Sequence, residues 1–452
     1  MITRDIISTM IKWAAKPSRK PLVIRGARQV GKTTLVAQFS HQFDQYIYLN
    51  LELPDDSQAF LDFKNMDTLI QSIFFIKNKV HSKKKKTLIF IDEIQEVPKA
   101  LNLLRYFYEQ APELYVIAAG SLLETLFSQN VSFPVGRLEF LVVRPVSFSE
   151  FLAATGEHAA LQAMRNIPLP EFANEKLFAL FNIYTLIGGM PEIVDHYATH
   201  KDLTSLKPIY ESLIVSYIDD VEKYAANATQ VQLFRHVIKA SFAEAGKRIK
   251  FQGFGKSNYR SREMGEVLRN LQKAFLLYLV YPTTGAELPL QPDSRKSPRL
   301  QVLDTGMLNY FLGIQKELLW ATDLNKVYQG TVIEHIVGQE LLAIDHSVLN
   351  QLNFWIREKK ESSAEVDYLY LFEGKVIPVE VKSGSAGKLR SLHLFMDLAP
   401  HNMAIRFYAG EISITEVNTL AGKKYFLLNL PYFLVSQIEY YLTWFKNKIN
   451  EK

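Results

Sequence analysis

The sequence contains no cysteine, which excludes disulfides, thiolate zinc sites and cysteine nucleophiles and is compatible with a reducing cytoplasm. It has no uninterrupted apolar run approaching the ~18–20 residues of a membrane span, so no membrane partner is expected. Its first ten residues include Arg4 and Asp5 and no long apolar core, so they do not read as a secretory signal. The histidines show no metal-ligand spacing. There is no Gly-x-Ser-x-Gly nucleophile elbow, no dinucleotide fingerprint and no guanine-reading Asn-Lys-x-Asp. Charge of one sign is scarce too. A net charge of +5 over 452 residues permits a nucleic-acid partner without arguing for one. What remains is a multidomain soluble chain, expected in the cytoplasm.

The most informative stretch is Leu22–Val36. A short apolar run leads into Gly26-x-x-x-x-Gly31-Lys32-Thr33 and then into a helical segment. This is the phosphate-binding loop pattern in the context it requires. Gly26 and Gly31 allow a tight backbone curl that turns N–H groups inward, so Gly26, Ala27, Arg28, Gln29, Val30, Gly31, Lys32, Thr33 and Thr34 are the candidate nucleotide-binding residues. Lys32 brings a positive charge to the β- and γ-phosphates, and the Thr33 hydroxyl is a candidate Mg²⁺ ligand. The helix that starts here adds its positive dipole end.

Thr87-Leu-Ile-Phe-Ile-Asp92-Glu93 is the partner motif. An apolar run ending in two acids predicts a buried parallel strand whose carboxyl end meets the ligand crevice. Asp92 would order Mg²⁺ and Glu93 would polarise the attacking water. Leu114–Ser121 predicts a third buried strand. Ser121 at its tip is a candidate γ-phosphate sensor or, equally, a helix N-cap. Arg137, just before a strand expected at Leu138–Val143, is an arginine finger in cis or from a neighbouring subunit, or a surface ion pair.

Together these motifs, with Gln95 after the acidic pair and Arg144-Pro-Val-Ser-Phe-Ser-Glu-Phe-Leu152, resemble the AAA-type P-loop ATPase core of a prokaryotic family. That family carries an uncharacterised C-terminal domain of restriction-endonuclease-like fold. The resemblance implies an α/β core with parallel sheet order 5-1-4-3-2 over residues 1–155, and ATP as the nucleotide. One departure is Ala119-Gly120-Ser121, where Thr-Gly-Ser is common in the family.

Beyond residue 155 the sequence predicts a helical region to 228. It includes a Gly188-Gly189 turn, read as close helix packing, and acids at Asp219 and Asp220, read as a solvated or interface face. A winged-helix-like region follows over 229–315. The loop before its second helix carries Lys247, Arg248, Lys250, Lys256, Tyr259, Arg260 and Arg262, which suits phosphate backbone contact or a protein–protein module.

Residues 316–452 read as helix, three strands, helix, strand. This is the order of the PD-(D/E)xK nuclease core, and Asp367 with Glu380-x-Lys382 resembles its motif. One strand is expected across Ser362–Leu371. Asp367 and Glu380 would share a Mg²⁺, Glu334 would complete the carboxylate set, and Lys382, two residues from Glu380 on one strand face, would orient water or neutralise charge. The expected partners are ATP with Mg²⁺, then DNA or another nucleic acid and a second copy of the chain. Whether the C-terminal domain cuts is left open by the sequence. The last apolar stretch, Leu434 to Phe445, is expected to dock onto the preceding domain.

Overall fold

A computed structural model describes residues 2–120, 136–220, 225, 227–315, 330–359, 362–384 and 389–451. The nucleotide-motif segment builds a parallel sheet from β1 (Leu22–Arg25), β2 (Gln45–Asn50), β3 (Thr87–Asp92), β4 (Tyr115–Ala119) and β5 (Glu139–Val142). Its order is β2-β3-β4-β1-β5, which is the expected 5-1-4-3-2 read from the other edge. Strand β3 explains why its sequence shows no alternation. Leu88 and Phe90 enter one apolar cluster and Ile89 and Ile91 the other, so both faces are covered. On the first face lie helices α1 (Ile6–Ala14) and α2 (Lys32–Phe39). On the second lie α3 (Pro54–Leu61), α4 (Met66–Ile76) and α5 (Pro98–Gln110).

A helical region follows: α6 (Phe148–Ala154), α7 (His158–Met164), α8 (Asn174–Ile187), α9 (Pro191–His200) and α10 (Lys207–Asp220). Helix α6 starts in a capping box, with the Ser147 hydroxyl and Glu150 carboxylate satisfying each other's backbone N–H. Gly188 and Gly189 separate α8 from α9, and the reason is steric. A Cβ on Gly189 would sit 2.2 Å from the Val146 carbonyl oxygen, and one on Gly188 2.3 Å from Asp304 Oδ1.

The next region holds α11 (Ala228–Ala243), α12 (Ser261–Lys273), the antiparallel pair β6 (Leu277–Val280) and β8 (Arg299–Val302), the two-residue β7 (Pro282–Thr283) and α13 (Thr305–Phe311). Helix α14 (Thr331–Ala343) opens the last third. Two sheets follow it. β9 (Phe354–Lys359) pairs with β10 (Ser362–Val366) and, across residue 315, with β7. β11 (Tyr368–Phe372), β12 (Lys375–Val381), β13 (Met403–Tyr408), β15 (Lys424–Pro431) and β14 (Ser413–Asn418) form the other sheet in that order, with α15 (Arg390–Leu398) between β12 and β13.

The single strand expected over Ser362–Leu371 is therefore two strands in two sheets. The chain breaks at Asp367, whose carboxylate accepts a hydrogen bond from the Val381 N–H at 2.8 Å instead of continuing a ladder. The tail forms α16 (Ile438–Asn450), in which Ile438, Tyr441, Leu442 and Phe445 are fully buried. The Tyr441 hydroxyl accepts from the Leu169 N–H at 2.9 Å, so the tail docks on the helical region as well as on its own domain.

A buried polar cluster ties these parts together. Glu340 on α14 accepts from the Tyr184 hydroxyl at 2.6 Å and the Phe148 N–H at 3.1 Å. Asp304 accepts from the Gly189 N–H at 2.6 Å and from Gln339. The Val302 N–H donates to His335 Nε2, so the neutral ring carries its proton on Nδ1 and gives it to the Thr305 hydroxyl. Burial holds His335 far below the ordinary imidazole range, near 3.

Burial likewise pushes the Glu340 carboxyl up to about 7. The folded state keeps this proton at pH values where the unfolded chain releases it. The stability it supplies is full below the ordinary carboxyl range and is lost as pH rises through 7. The melting temperature is expected to fall between pH 6 and 8. Glu340→Gln should flatten that slope, by up to about 1.4 kcal/mol per pH unit for one proton. Thermal melts of both proteins across that interval check this, and identical slopes would remove Glu340 as the cause.

Candidate nucleotide site and C-terminal carboxylate cluster

The phosphate loop leaves β1 at the carboxyl edge of the sheet, between its neighbours β4 and β5. Gly26 (φ +142°) and Gly31 (φ +88°) take backbone conformations that L side chains rarely adopt. A Cβ on Gly26 would also meet the Val143 carbonyl oxygen at 2.4 Å. Between them Gln29 is left-handed at φ +58°. The loop is gripped from outside. Arg4 donates to the Val30 carbonyl oxygen at 3.2 Å and to that of Arg144 at 2.6 Å, and pairs with Glu150 at 3.0 Å. The Tyr217 hydroxyl donates to the Arg28 carbonyl oxygen at 2.6 Å, while the Arg28 side chain pairs with Asp220 at 2.5 Å. Asp220 thus sits on an interface face, one of the two alternatives its sequence allowed.

Lys32 is the first residue of α2 and only 7% exposed. Its ammonium donates to the carbonyl oxygens of Gly26 at 3.1 Å and Ala27 at 2.8 Å. Burial lowers it to about 8, while the charges of Glu93 and Asp92 work in the opposite direction. The Thr33 hydroxyl donates to Asp92 Oδ2 at 2.7 Å, which joins the two sequence motifs directly. Burial raises Asp92, and its hydrogen bond from Thr33 partly offsets that. Tyr48 on the neighbouring strand also reaches Asp92, at 3.4 Å.

Glu93 follows in a left-handed turn (φ +50°) and accepts from the Gln95 amide at 2.5 Å. Gln95 therefore orients Glu93. Arg28, Gln29, Gly31, Lys32, Thr33, Thr34 and Glu93 line one cleft of about 620 Å³, within the roughly 300–1,000 Å³ of small-molecule sites. Its opposite wall is Ile2, Arg4 and, from α9, Pro191, Glu192 and Asp195. A curled loop, a buried ammonium, and hydroxyl and carboxylate oxygens side by side form a donor set that fits a nucleotide phosphate chain and a hard divalent ion such as Mg²⁺.

Two other expected residues remain. Ser121 falls outside the described residues. Arg137 precedes β5, whose Glu139 is level with Leu22 at the start of β1. It therefore lies at the amino edge of the sheet, away from the loop of its own chain, and pairs with Glu109 at 2.9 Å. That contact is a surface ion pair, one of the alternatives its sequence allowed. What the sequence did not point to is the grip of Arg4, Tyr48 and Tyr217, because each acts through a partner far away in the chain.

The C-terminal acids do converge, though with an unforeseen cation among them. β12 carries Glu380 and leads to Lys382, and these two pair at 2.5 Å. Arg299, the first residue of β8 and 5% exposed, pairs with Glu365. It also lies 3.7 Å from Asp367 Oδ1 and donates to the Asp367 carbonyl oxygen at 3.0 Å. Burial, and then the charge of Asp367, push both Glu334 and Glu380 up. Burial also raises Asp367, with Arg299 opposing it. Among the described residues no group of three or more His, Asp or Glu side chains is arranged to hold a metal ion. As arranged here, Glu334, Asp367 and Glu380 are not such a group. The acids are gathered, but Asp367 is committed to the Val381 N–H and to Arg299, so the residues as arranged do not fit a divalent ion.

Comparisons with known proteins describe the first domain and give no described function for the others. Residues 18–152 match the model of an AAA domain family. Residues 179–318 and 329–428 match two families described as domains of unknown function, DUF8612 and DUF4143. No curated protein matches the chain. Among solved structures, the Walker-type ATPase PABY2304 of Pyrococcus abyssi is 15% identical with a TM-score of 0.43, over 69% of this chain and 96% of that one. The RuvB Holliday junction branch migration motor of Thermotoga maritima is 14% identical with a TM-score of 0.26, over 62% and 90%. AMPPCP-bound DnaA from Aquifex aeolicus is 11% identical with a TM-score of 0.27, over 60% and 86%. These overlaps are loose, so the functional argument rests on the family match and the site. No described helix is long and apolar enough to cross a membrane.

Proposed function

Starting from an AAA-type P-loop ATPase domain at residues 18–152, we propose that the chain binds Mg-ATP in the cleft of Gly26–Thr34 and hydrolyses it. The observation that carries this is the 2.7 Å contact between Thr33 and Asp92, with Glu93 lining the same cleft as Lys32. In this reading Lys32 leaves the loop carbonyls for the β- and γ-phosphates. Thr33 and Asp92 would hold Mg²⁺, which would draw charge from the phosphate oxygens. Glu93, oriented by Gln95, polarises the water that attacks the γ-phosphorus and accepts its proton, and ADP leaves. Ser121 senses the γ-phosphate. Arg137 serves a neighbouring subunit, which makes a homo-oligomer the working form.

Asp92→Asn is the test of the metal role. It should bind ATP about as the unaltered chain does in excess chelator and lose most of the tightening that Mg²⁺ brings. Titrations with and without Mg²⁺ check this, and equal Mg²⁺ enhancement in both proteins would overturn the assignment.

The output of hydrolysis is proposed to run through α9 and α14. Pro191, Glu192 and Asp195 wall the nucleotide cleft, the adjoining Gly189 is bonded to Asp304, and α14 carries both Glu340 in the polar cluster and Glu334 among the C-terminal acids. We read residues 229–315 as winged-helix-like, and the last third as a PD-(D/E)xK nuclease-like fold that binds rather than cuts in its resting state. Arg299 among the acids favours that silent form. Lys247, Arg248, Lys250, Lys256, Arg260 and Arg262 are all exposed and form the candidate nucleic-acid surface. Incubation with single- and double-stranded DNA and RNA, with Mg²⁺ or Mn²⁺ and with or without ATP, is expected to give ATP-dependent binding without cleavage. Metal-dependent cleavage that is lost in Lys382→Ala would overturn the silent reading.

A further inference from the structure

The C-terminal cluster crowds more acids than cations, and burial with mutual repulsion pushes Glu334 and Glu380 up. Four carboxylates (Glu334, Glu365, Asp367 and Glu380) face two cations, Arg299 and Lys382. Lys382 pairs with Glu380 Oε1. Glu380 is 4% exposed, and its Oε2 is buried with no hydrogen-bond partner among the described residues. A buried carboxylate oxygen in that state costs free energy unless a cation or donor reaches it. Arg299 does not come from the C-terminal sheet that carries Glu380. It is delivered by β8, pinned by the Arg248–Arg299 bridge, and lies over the rings of Phe354 at 4.8 Å and Tyr368 at 5.8 Å. Its planar fork uses one end on Glu365 and Asp367 Oδ1 and the other on the Asp367 backbone oxygen.

We propose that the Arg299 guanidinium is a built-in cation that engages Asp367 inside this cluster and so keeps a divalent metal out of it. With Arg299 gone, Asp367 Oδ1 is released to share an ion with the Glu380 Oε2 beside it, and the cluster loses one positive charge. The same contact makes the C-terminal domain silent at rest and gives the region before it, residues 229–315, a way to control it. This deepens the reading of a non-cutting nuclease-like domain and rests on it, but not on hydrolysis at the phosphate loop.

The test is a Mn²⁺ titration of the nucleotide-free full chain, followed by the electron paramagnetic resonance signal of free Mn²⁺. The unaltered chain and Asp367→Asn should give the same curve, which also accounts for any ion held near Thr33 and Asp92. Arg299→Met should gain one site at least tenfold tighter than anything in the unaltered chain. That site should vanish in the Arg299→Met/Asp367→Asn double variant. Arg299→Gln, which keeps a donor for the Asp367 carbonyl oxygen, should gain the site too and guards against a folding defect in the methionine variant. The proposal is overturned if the unaltered chain already binds Mn²⁺ in a way that Asp367→Asn abolishes, or if a folded Arg299 variant gains nothing. Neither outcome depends on whether Glu93 supports ATP turnover, so failure here and failure of the ATPase reading are separable.

Discussion

Lys32→Ala is expected to abolish nucleotide binding while leaving the fold intact. The ammonium is nearly buried, and burial already lowers it to about 8. In the nucleotide-free protein it therefore contributes little net stability, and its removal loses only hydrogen bonds to the carbonyl oxygens of Gly26 and Ala27. Against bound phosphates the balance reverses. Deleting one partner of a buried charge pair costs about 3–5 kcal/mol, and each 1.4 kcal/mol is about tenfold in affinity. The affinity for ATP should drop by roughly two to four powers of ten, with the melting temperature of the nucleotide-free protein little changed. Fluorescent-nucleotide titration beside a thermal melt reads both. Unchanged ATP affinity would defeat the assignment of Lys32 and with it the reading of the loop.

Glu93→Gln has the opposite signature. The amide keeps the size of the side chain and its place in the left-handed turn after β3, and it can still meet Gln95. What it lacks is the negative charge that polarises water. General-base contributions are about 10²–10⁴ in rate, so turnover should fall by that factor while ATP binds as well as before. Single-turnover phosphate release from prebound Mg-ATP separates the two effects. A release rate equal to that of the unaltered chain would count against Glu93 as the residue that activates water. The two variants also control for each other, since a general weakening of the fold would lower binding in both.

The parts of this molecule that were readable beforehand are those whose chemistry is local in sequence. Gly26, Gly31, Lys32 and Thr33 lie within one turn of chain, and Asp92 and Glu93 end a strand whose run of apolar residues announces burial on both faces. The sheet order followed from family resemblance and not from any spacing. The Gly188-Gly189 turn was readable as close packing because few other reasons place two glycines between helices.

The grip on the loop was not readable. Arg4 meets Glu150, and Arg28 meets Asp220, across most of the core domain and beyond it. Nothing in the neighbourhood of Arg4 singles it out, and Asp220 read only as a solvated or interface acid without a named partner. The break at Asp367 was hidden because Glu365, Val366, Asp367 and Tyr368 alternate as a continuous strand would, while the cause of the break, the Val381 N–H and Arg299, comes from other strands. The carboxyl groups of Glu334, Asp367 and Glu380 lie near enough to act on one another. Their counter-ion was missed because it lies in a different region, at the start of a strand whose other residues read only as core.

The most direct test of the central claim is steady-state phosphate release from Mg-ATP by the full chain. The account predicts saturable release that disappears in both Lys32→Ala and Glu93→Gln, with bound ATP retained only in the second. No saturable release from the unaltered chain, or release that survives in both variants, would contradict it.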